Sequence, residues 1–402
     1  MTRARIETAN ARLPKLLFVG EIHSTHALSW IDLLRGEPYD VRAFSLASYR
    51  PPETFPYPTD VPLLASKGRK LLDLSIKALA PKYFRVPDED AFLQRRLARF
   101  IRNWRPDIVH CFGASTAGLF LSRTMQRFDL RKDFKLSIQA RGGPDLEDSI
   151  HDPSVVGDLR TALRSCDLFF ADNEKGYEIA RSLGCSRAAI GDANRFPGTG
   201  GMTFDDRPRL PPSQRERVIL VPKAYEGYQS KVLPVFEALK IAWPRIKPAK
   251  IILAAVNDEP AKYLKRMDQG IAGHIDVHPR IPREKILSFM AQARLMIAPS
   301  IMDGVPNSLY EAMANGALPI VSPLETISSV VSEPDNVLFA GNFDVEKLVS
   351  ATVKLMNDDE QGDAMAQRNL HLVRAIADRD KIKVKLLARY RSLAAEGVSV
   401  SQ

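Results

Sequence analysis

The stretch of this sequence richest in residues able to do chemistry is 295–321, LMIAPSIMDGVPNSLYEAMANGALPIV. An apolar run ends at Pro299 and an irregular loop follows. The pattern then predicts a short helix from Asn307 or Ser308 to Asn315, stopped by Gly316 before the next apolar run. In an open parallel sheet, such a βαβ unit turns the unpaired N–H groups and positive dipole end of its helix toward the crevice beyond the strand ends. A phosphate binds there. Asp303 in the loop and Glu311 eight positions later add two carboxylates. Both facing a phosphate would repel it, so ribose and hexose hydroxyls are the expected partners, since one carboxylate accepts two hydroxyl hydrogen bonds. The cations a diphosphate then requires stand in VPKAYEGYQSK, where Lys223 and Lys231 follow the first apolar run of the same half.

Each of these residues also has a plain structural reading. Glu311 can stabilise a helix N-terminus, Asp303 can serve an Asp-Gly turn, and both lysines can lie on the surface. His26, in the loop after the first apolar run, either contacts an acceptor or caps the helix that carries Trp30. His110, inside an apolar run, reads as a core histidine or a crevice residue. Arg141, Gly142, Gly143 and Asp145 form a loop that binds an acceptor or turns the chain. The cluster Gly198 to Gly201 lacks the G-x-G-x-x-G frame and signals only flexibility. Cys111, Cys166 and Cys185 are widely spaced, without a C-x-x-C or a histidine pair, so neither disulfides nor a metal site is expected.

The elements that must position these groups follow an alternation of short apolar runs and amphipathic stretches, the mark of βαβ units around parallel sheets. Strands are predicted at 16–19, 41–45, 107–111, 136–140 and 168–171, and again at 218–221, 251–255, 295–298, 318–321 and 337–339. Helices are expected at 88–104, 232–241 and 283–292. Residues 195–217, RFPGTGGMTFDDRPRLPPSQRER, break every period and read as a linker. From 344 to about 393 the pattern is helical throughout, with a last helix able to reach back to the first half. The α/β fold class follows, with two Rossmann-like domains: 1–205, joined by a terminal helix at about 380–402, and 206–379.

DGVPNSLYEAMANGALPI resembles the Glu-x7-Glu donor motif of retaining GT-B glycosyltransferases, particularly family four (glycosyl transferases group 1). Further along the chain, LLFVGEIHSTHALSW resembles their first strand and loop, RPDIVHCFGAS their "PDivH" strand, and CDLFFADNEKGYEIARSLG a later segment. The resemblance implies the GT-B fold, two domains facing across a cleft with the C-terminal helix crossing back. It also implies transfer of a hexosyl group from a nucleotide diphosphate sugar to an acceptor hydroxyl, with no metal or other cofactor, in surface polysaccharide or glycolipid assembly. By the same resemblance, Glu311 holds the nucleotide ribose and Asp303, where Glu is usual, faces the donor sugar. The backbone of Asn307, Ser308 and Leu309 meets the diphosphate, and Lys223 and Lys231 match a basic pair. Gly20, His26, His110, Gly142 and Asp145 fall in acceptor-side or catalytic segments, and Arg141 stands where the family often has His. Two rivals are a sugar-nucleotide epimerase of the same architecture and a non-catalytic nucleotide-sugar-binding subunit.

The 402 residues are 45% hydrophobic and 26% charged, ordinary globular composition with no apolar run long enough to cross a bilayer and no leader-like start. A cytoplasmic location is expected. The net charge is +9, and residues 66–105 hold eleven Lys/Arg against four Asp/Glu. Mixed with LLDLSIKALAPKYF, this segment suits an anionic membrane surface, placing the chain at the inner face of the plasma membrane. Nucleic acid is not expected, because no nucleic-acid module accompanies the charge.

Overall fold

The structure, a computed structural model, describes residues 12–62, 89–131, 133–192, 195–204, 209–267, 269–279 and 281–396. Two parallel six-stranded sheets organise the chain. The first contains β1 (Lys15–Gly20), β2 (Asp40–Ser45), β3 (Thr59–Asp60), β4 (Ile108–Phe112), β5 (Lys135–Gln139) and β6 (Leu168–Phe170) in the order β3-β2-β1-β4-β5-β6. The second contains β7 (Val218–Val221), β8 (Lys250–Ala254), β9 (Ile275–His278), β10 (Leu295–Ile297), β11 (Leu318–Val321) and β12 (Leu338–Phe339) in the order β12-β11-β10-β7-β8-β9. Counted from its own first strand, each sheet has the doubly wound order 3-2-1-4-5-6. The expected α/β fold is what the chain adopts.

In the first half the helices are α1 (Thr25–Ile31), α2 (Glu89–Trp104), α3 (Leu119–Phe128), α4 (Gly142–Leu146), α5 (Val156–Arg164), α6 (Glu174–Ser182) and α7 (Arg187–Ile190). A π-helical turn, Gly113–Gly118, precedes α3. The second half has α8 (Leu233–Ile246), α9 (Asp258–Leu264), α10 (Gln269–Ala272), α11 (Arg283–Gln292), α12 (Asn307–Asn315), α13 (Glu325–Ser328), α14 (Val345–Asn357), α15 (Asp359–Ile376) and α16 (Arg379–Ala395). α2 behaves as its periodicity requires: Leu93, Leu97, Ile101 and Trp104 are buried while Arg95, Arg96, Arg99 and Arg102 stay exposed. Residues 66–88 of the basic segment, with Lys67, Arg69, Lys70, Lys77 and Lys82, lie outside the described residues.

Each sheet buries apolar side chains on both faces, as parallel sheets must. α16 supplies part of the first sheet's cover: Ile382, Leu386, Leu387, Tyr390 and Leu393 pack with Leu16, Phe18 and Trp30. The C-terminal helix therefore crosses back, and the chain passes between halves twice. The two passages run together, because Met202 N–H donates to Ala377 C=O at 2.6 Å and Arg379 N–H donates to Met202 C=O at 2.9 Å. Gly201 is needed there: at φ +91°, a Cβ would sit 2.7 Å from Ala377 O. The glycines read as flexible thus serve a fixed crossing.

α12, the helix that matters most for chemistry, is held at its far end. Gly316 takes the left-handed conformation at φ 77°, and Ala317 N–H closes the turn on Ala312 C=O at 3.0 Å. The buried Arg215 guanidinium donates to Asn315 C=O at 2.8 Å and to Ala293 C=O at 2.9 Å, capping α12 and α11 together. Two carbonyl ends that would otherwise be orphaned are satisfied by one cation, which fixes the angle between the helices.

Candidate active site

Each sheet reverses its winding beside its own first strand, at β1/β4 and at β7/β10, and crevice ligands of open α/β sheets sit beyond the carboxyl ends of such strands. Here the two sets of loops touch. Asn307, the first residue of α12, accepts hydrogen bonds on Oδ1 from Thr199 N–H at 3.3 Å and Thr199 Oγ1 at 2.9 Å. That fixes its amide, so Nδ2 donates to His26 Nε2 at 2.9 Å. His26 must then be the neutral Nδ1–H tautomer. Burial, then Arg141, Arg283 and Lys223, push its pKa down to about 4, so it stays neutral near pH 7.

The start of α12 is open. Its N-cap is Pro306, which has no capping side chain, and its first turn holds no acid. Leu309 N–H turns back to Pro306 C=O at 3.0 Å. Among the described residues, the N–H groups of Asn307 and Ser308 have no acceptor, and the buried Ser308 hydroxyl is likewise unpartnered. Around this end, cations and carboxylates form pairs. Lys223 holds the Asp303 carboxylate in a short ion pair, with Ser300 Oγ 3.5 Å from each group. Arg283, the first residue of α11, reaches Glu311 through Nε at 2.9 Å and Nη2 at 2.7 Å. Burial raises the pKa of Glu311, and Arg283 opposes that rise. Lys231 Nζ lies 3.4 Å from Glu226, and its backbone is clamped by the Asn342 amide through bonds of 2.9 and 2.8 Å. An uncapped helix start flanked by basic groups accepts a di-anion, while the two acids beside it accept hydroxyls.

Residues 217–358 match the profile of the family described as glycosyl transferases group 1. The second half of the chain thus holds a stretch similar to glycosyltransferase domains. Among solved structures, the chain is similar to sucrose-phosphate synthase from Thermosynechococcus elongatus, with TM-score 0.69, 13% identity, and 96% and 100% of the two chains covered. It is also similar to Anabaena HepE in complex with UDP-glucose, with TM-score 0.64, 14% identity, and 94% and 99% covered. A third is an α,α-trehalose-phosphate synthase (UDP-forming) from Burkholderia vietnamiensis, with TM-score 0.66, 13% identity, and 94% and 100% covered. These likenesses establish the GT-B fold of the chain. No curated protein matches it.

The structure gathers most of the residues singled out in the sequence at this crevice. Lys223, Asp303, Asn307, Ser308 and Glu311 cluster around the start of α12. From the first half, His26 touches Asn307, and Gly142 approaches Gly304 so closely that a Cβ on Gly304 would lie 2.9 Å from the Gly142 Cα. Gly20 ends β1, and Arg141 follows β5 with Nη1 3.5 Å from Ser24 Oγ.

Two expected catalytic residues are corrected. His110 is fully buried in β4, with Nδ1 2.8 Å from Ser137 Oγ and 3.1 Å from the Tyr390 hydroxyl. The rings of Phe18, Trp30, Phe112 and Phe170 surround it, and burial drives its pKa down to about 3. It is a neutral core side chain, closed off from the crevice. Asp145 is also turned inward. Its two oxygens accept from Ala114 N–H, Ser115 N–H, Ser115 Oγ and Arg141 N–H at 2.6–2.8 Å. Four donors fill the carboxylate, which pins the loops after β4 and β5 together. Leu309 differs as well: its amide is spent on Pro306, which leaves two free N–H groups, not three, at the helix start.

Arg283 and Asp172 were not visible from the sequence. Arg283 opens a helix just after an edge strand, and a basic residue at that place was the available signal. Asp172 follows β6 and accepts Val305 N–H from the opposite loop at 3.2 Å, as well as Asn173 Nδ2 at 2.6 Å. Burial raises its pKa to about 7, more than offsetting the Asn173 bond, and the Asp303 charge adds to the rise. A carboxyl raised from 3.8 favours the folded state while protonated, so its contribution is complete below that value and is lost as pH rises through about 7. Between about pH 5 and pH 8 the native chain is expected to lose roughly 3 kcal/mol from this group. Asp172→Asn, which cannot titrate, should flatten that part of the curve. Urea denaturation of both proteins at the two pH values checks it; parallel curves would remove the assignment.

Proposed function

We propose that this glycosyltransferase moves a hexosyl group from a nucleotide diphosphate sugar to an acceptor hydroxyl, with retention of configuration, in the assembly of a surface polysaccharide or glycolipid. The observation that carries the reading is the uncapped start of α12, with two free N–H groups, an unpartnered buried hydroxyl at Ser308, and Lys223 and Arg283 close by. The diphosphate sits on that helix end. Glu311 accepts the ribose hydroxyls, and Asp303 orients the donor hexose.

Breaking the anomeric bond puts negative charge on the departing diphosphate, and Lys223, Lys231 and the α12 amides stabilise it as it forms. Lys223 is already paired with Asp303, so donor binding shares one ammonium between the phosphate and the carboxylate that orients the sugar. His26, neutral and donating only through Nδ1, contacts the acceptor or the sugar without adding charge. No metal is required in this scheme. The basic segment 66–105 rests on an anionic membrane, keeping the enzyme peripheral to the inner face and close to a glycan or lipid-linked acceptor.

The test is a thermal-shift screen against uridine, guanosine, thymidine and adenosine diphosphates, followed by proton NMR of the product formed from the matching donor sugars. A ligand at a hundredfold excess over its dissociation constant adds about 2.7 kcal/mol to apparent stability. One nucleotide should stand out, and the first-formed product should keep the donor's anomeric coupling. Silence from all four removes the donor site, and an inverted coupling removes retention. The epimerase reading has one observation in its favour, a structural likeness to a putative UDP-N-acetylglucosamine 2-epimerase from Listeria monocytogenes, with TM-score 0.64 and 15% identity. Incubation with donor alone separates the two, because only an epimerase isomerises the sugar nucleotide without an acceptor.

A further inference from the structure

Three basic groups at the crevice each have a carboxylate of their own: Lys223 has Asp303, Arg283 has Glu311, and Lys231 has Glu226. Arg141 does not. Among the described residues, no carboxylate oxygen lies within ion-pairing distance of its guanidinium. Asp145, next in the same loop, has all its acceptor capacity taken up by Ala114, Ser115 and the main-chain N–H of Arg141 itself. The guanidinium is half-buried, lies 5.5 Å from the centre of the Phe112 ring, and reaches only Ser24 Oγ, at 3.5 Å. Burial lowers its pKa, and its field helps keep His26 neutral. Asp145 and Glu21 oppose that shift from a distance, but a partly desolvated guanidinium with no carboxylate in contact is costly, and its planar donor fork matches a carboxylate or phosphate.

The surroundings point away from the donor side. Arg141 belongs to the first half and connects, through Ser24, to a strip formed by the loops after β1 and β2. Next to Ser24, His23 has its Nδ1 buried without a hydrogen-bond partner, and its ring lies 5.0 Å from that of Tyr49. Tyr49 is 69% exposed, a flat aromatic face at the rim of the crevice. An aromatic face beside an unsatisfied polar atom, leading to an unpaired guanidinium, suits a sugar ring that carries an anionic substituent.

We propose that Arg141 binds a carboxylate or phosphate borne by the acceptor, so that the acceptor is an acidic sugar whose ring lies along His23 and Tyr49. This rests on the glycosyl-transfer reading above and narrows its acceptor class. The full-length protein, saturated with whichever nucleoside diphosphate gives the largest thermal shift, is titrated by calorimetry with glucose 6-phosphate, glucuronic acid and glucose. The phosphate- or carboxylate-bearing probe should bind at least tenfold more tightly than glucose. Arg141→Gln should erase that preference while changing nucleoside diphosphate affinity less than twofold, and Arg141→Lys should retain part of it. Tyr49→Ala should weaken charged and neutral probes alike.

The inference is overturned if neither charged probe binds better than glucose, or if Arg141→Gln leaves their preference intact. It is equally overturned if that variant weakens nucleoside diphosphate binding as much as probe binding, because Arg141 would then serve the donor diphosphate. Failure of every nucleoside diphosphate to bind counts against the glycosyl-transfer reading instead. The same three titrations on the unliganded chain then judge Arg141 by the same criterion.

Discussion

Glu311→Ala should abolish measurable turnover and weaken nucleoside diphosphate binding about a hundredfold. Glu311 is 6% exposed and stands in the second turn of α12, one turn below the free amides proposed to receive the diphosphate. Two charge-assisted hydrogen bonds to ribose hydroxyls are worth roughly 1.5–3 kcal/mol each, and losing them accounts for that factor. The substitution also leaves Arg283 without its partner, and breaking a buried pair by removing one member costs about 3–5 kcal/mol at full burial. Arg283 is 33% exposed, so water recovers part of that cost, and the unliganded protein should melt a few degrees lower while remaining folded. Calorimetric titration with the nucleotide, next to initial rates and a melt without ligand, separates the two effects. Unchanged binding and rate would discard Glu311 as the ribose residue.

Lys223→Met should lower kcat by about 100- to 1000-fold with a smaller change in KM. Its ammonium pairs with Asp303 and, in the proposed reaction, meets the leaving diphosphate; the loss of one preorganised donor of this kind costs about 2.7–4 kcal/mol in the transition state. The same change leaves Asp303 without its counter-ion, so Lys223→Met combined with Asp303→Asn should recover thermal stability but not rate. Saturation kinetics decide: a rise in KM with kcat intact would confine Lys223 to ground-state binding.

Much of this was legible in the chain. The strands around β7, β10 and β11 are short runs of Val, Ile, Leu and Met between turn residues, and buried parallel strands leave that trace because both faces are covered. β3 and β9 escaped notice for the complementary reason. They are edge strands, one only two residues long and the other nowhere fully buried, so their apolar signal is weak. His110 and Asp145 show a second limit. Alternation places His110 on the same face of β4 as Ile108 and Phe112, but only the return of α16, bringing Tyr390 over that face, seals it from the crevice. Asp145 reads as a free loop acid until the π-helical turn after β4 is folded against it.

The sequence by itself determined the two doubly wound halves, the short helix beginning at Asn307 and ending at Gly316, and the set of acids and lysines that suit a sugar nucleotide. Those features are written in local periods and capping residues, which act over a few positions. Tertiary structure decided which of the polar groups meet. Glu311 finds Arg283 from 28 residues away, Asp172 reaches Val305 from 133 residues away, and the Arg141 guanidinium is left without a carboxylate in contact. Such meetings depend on how the loops beyond the strand ends fold together, within the second half for Glu311 and Arg283 and between the halves for Asp172 and Val305. No local pattern encodes that, because the energy of each contact exists only once the tertiary fold has desolvated it.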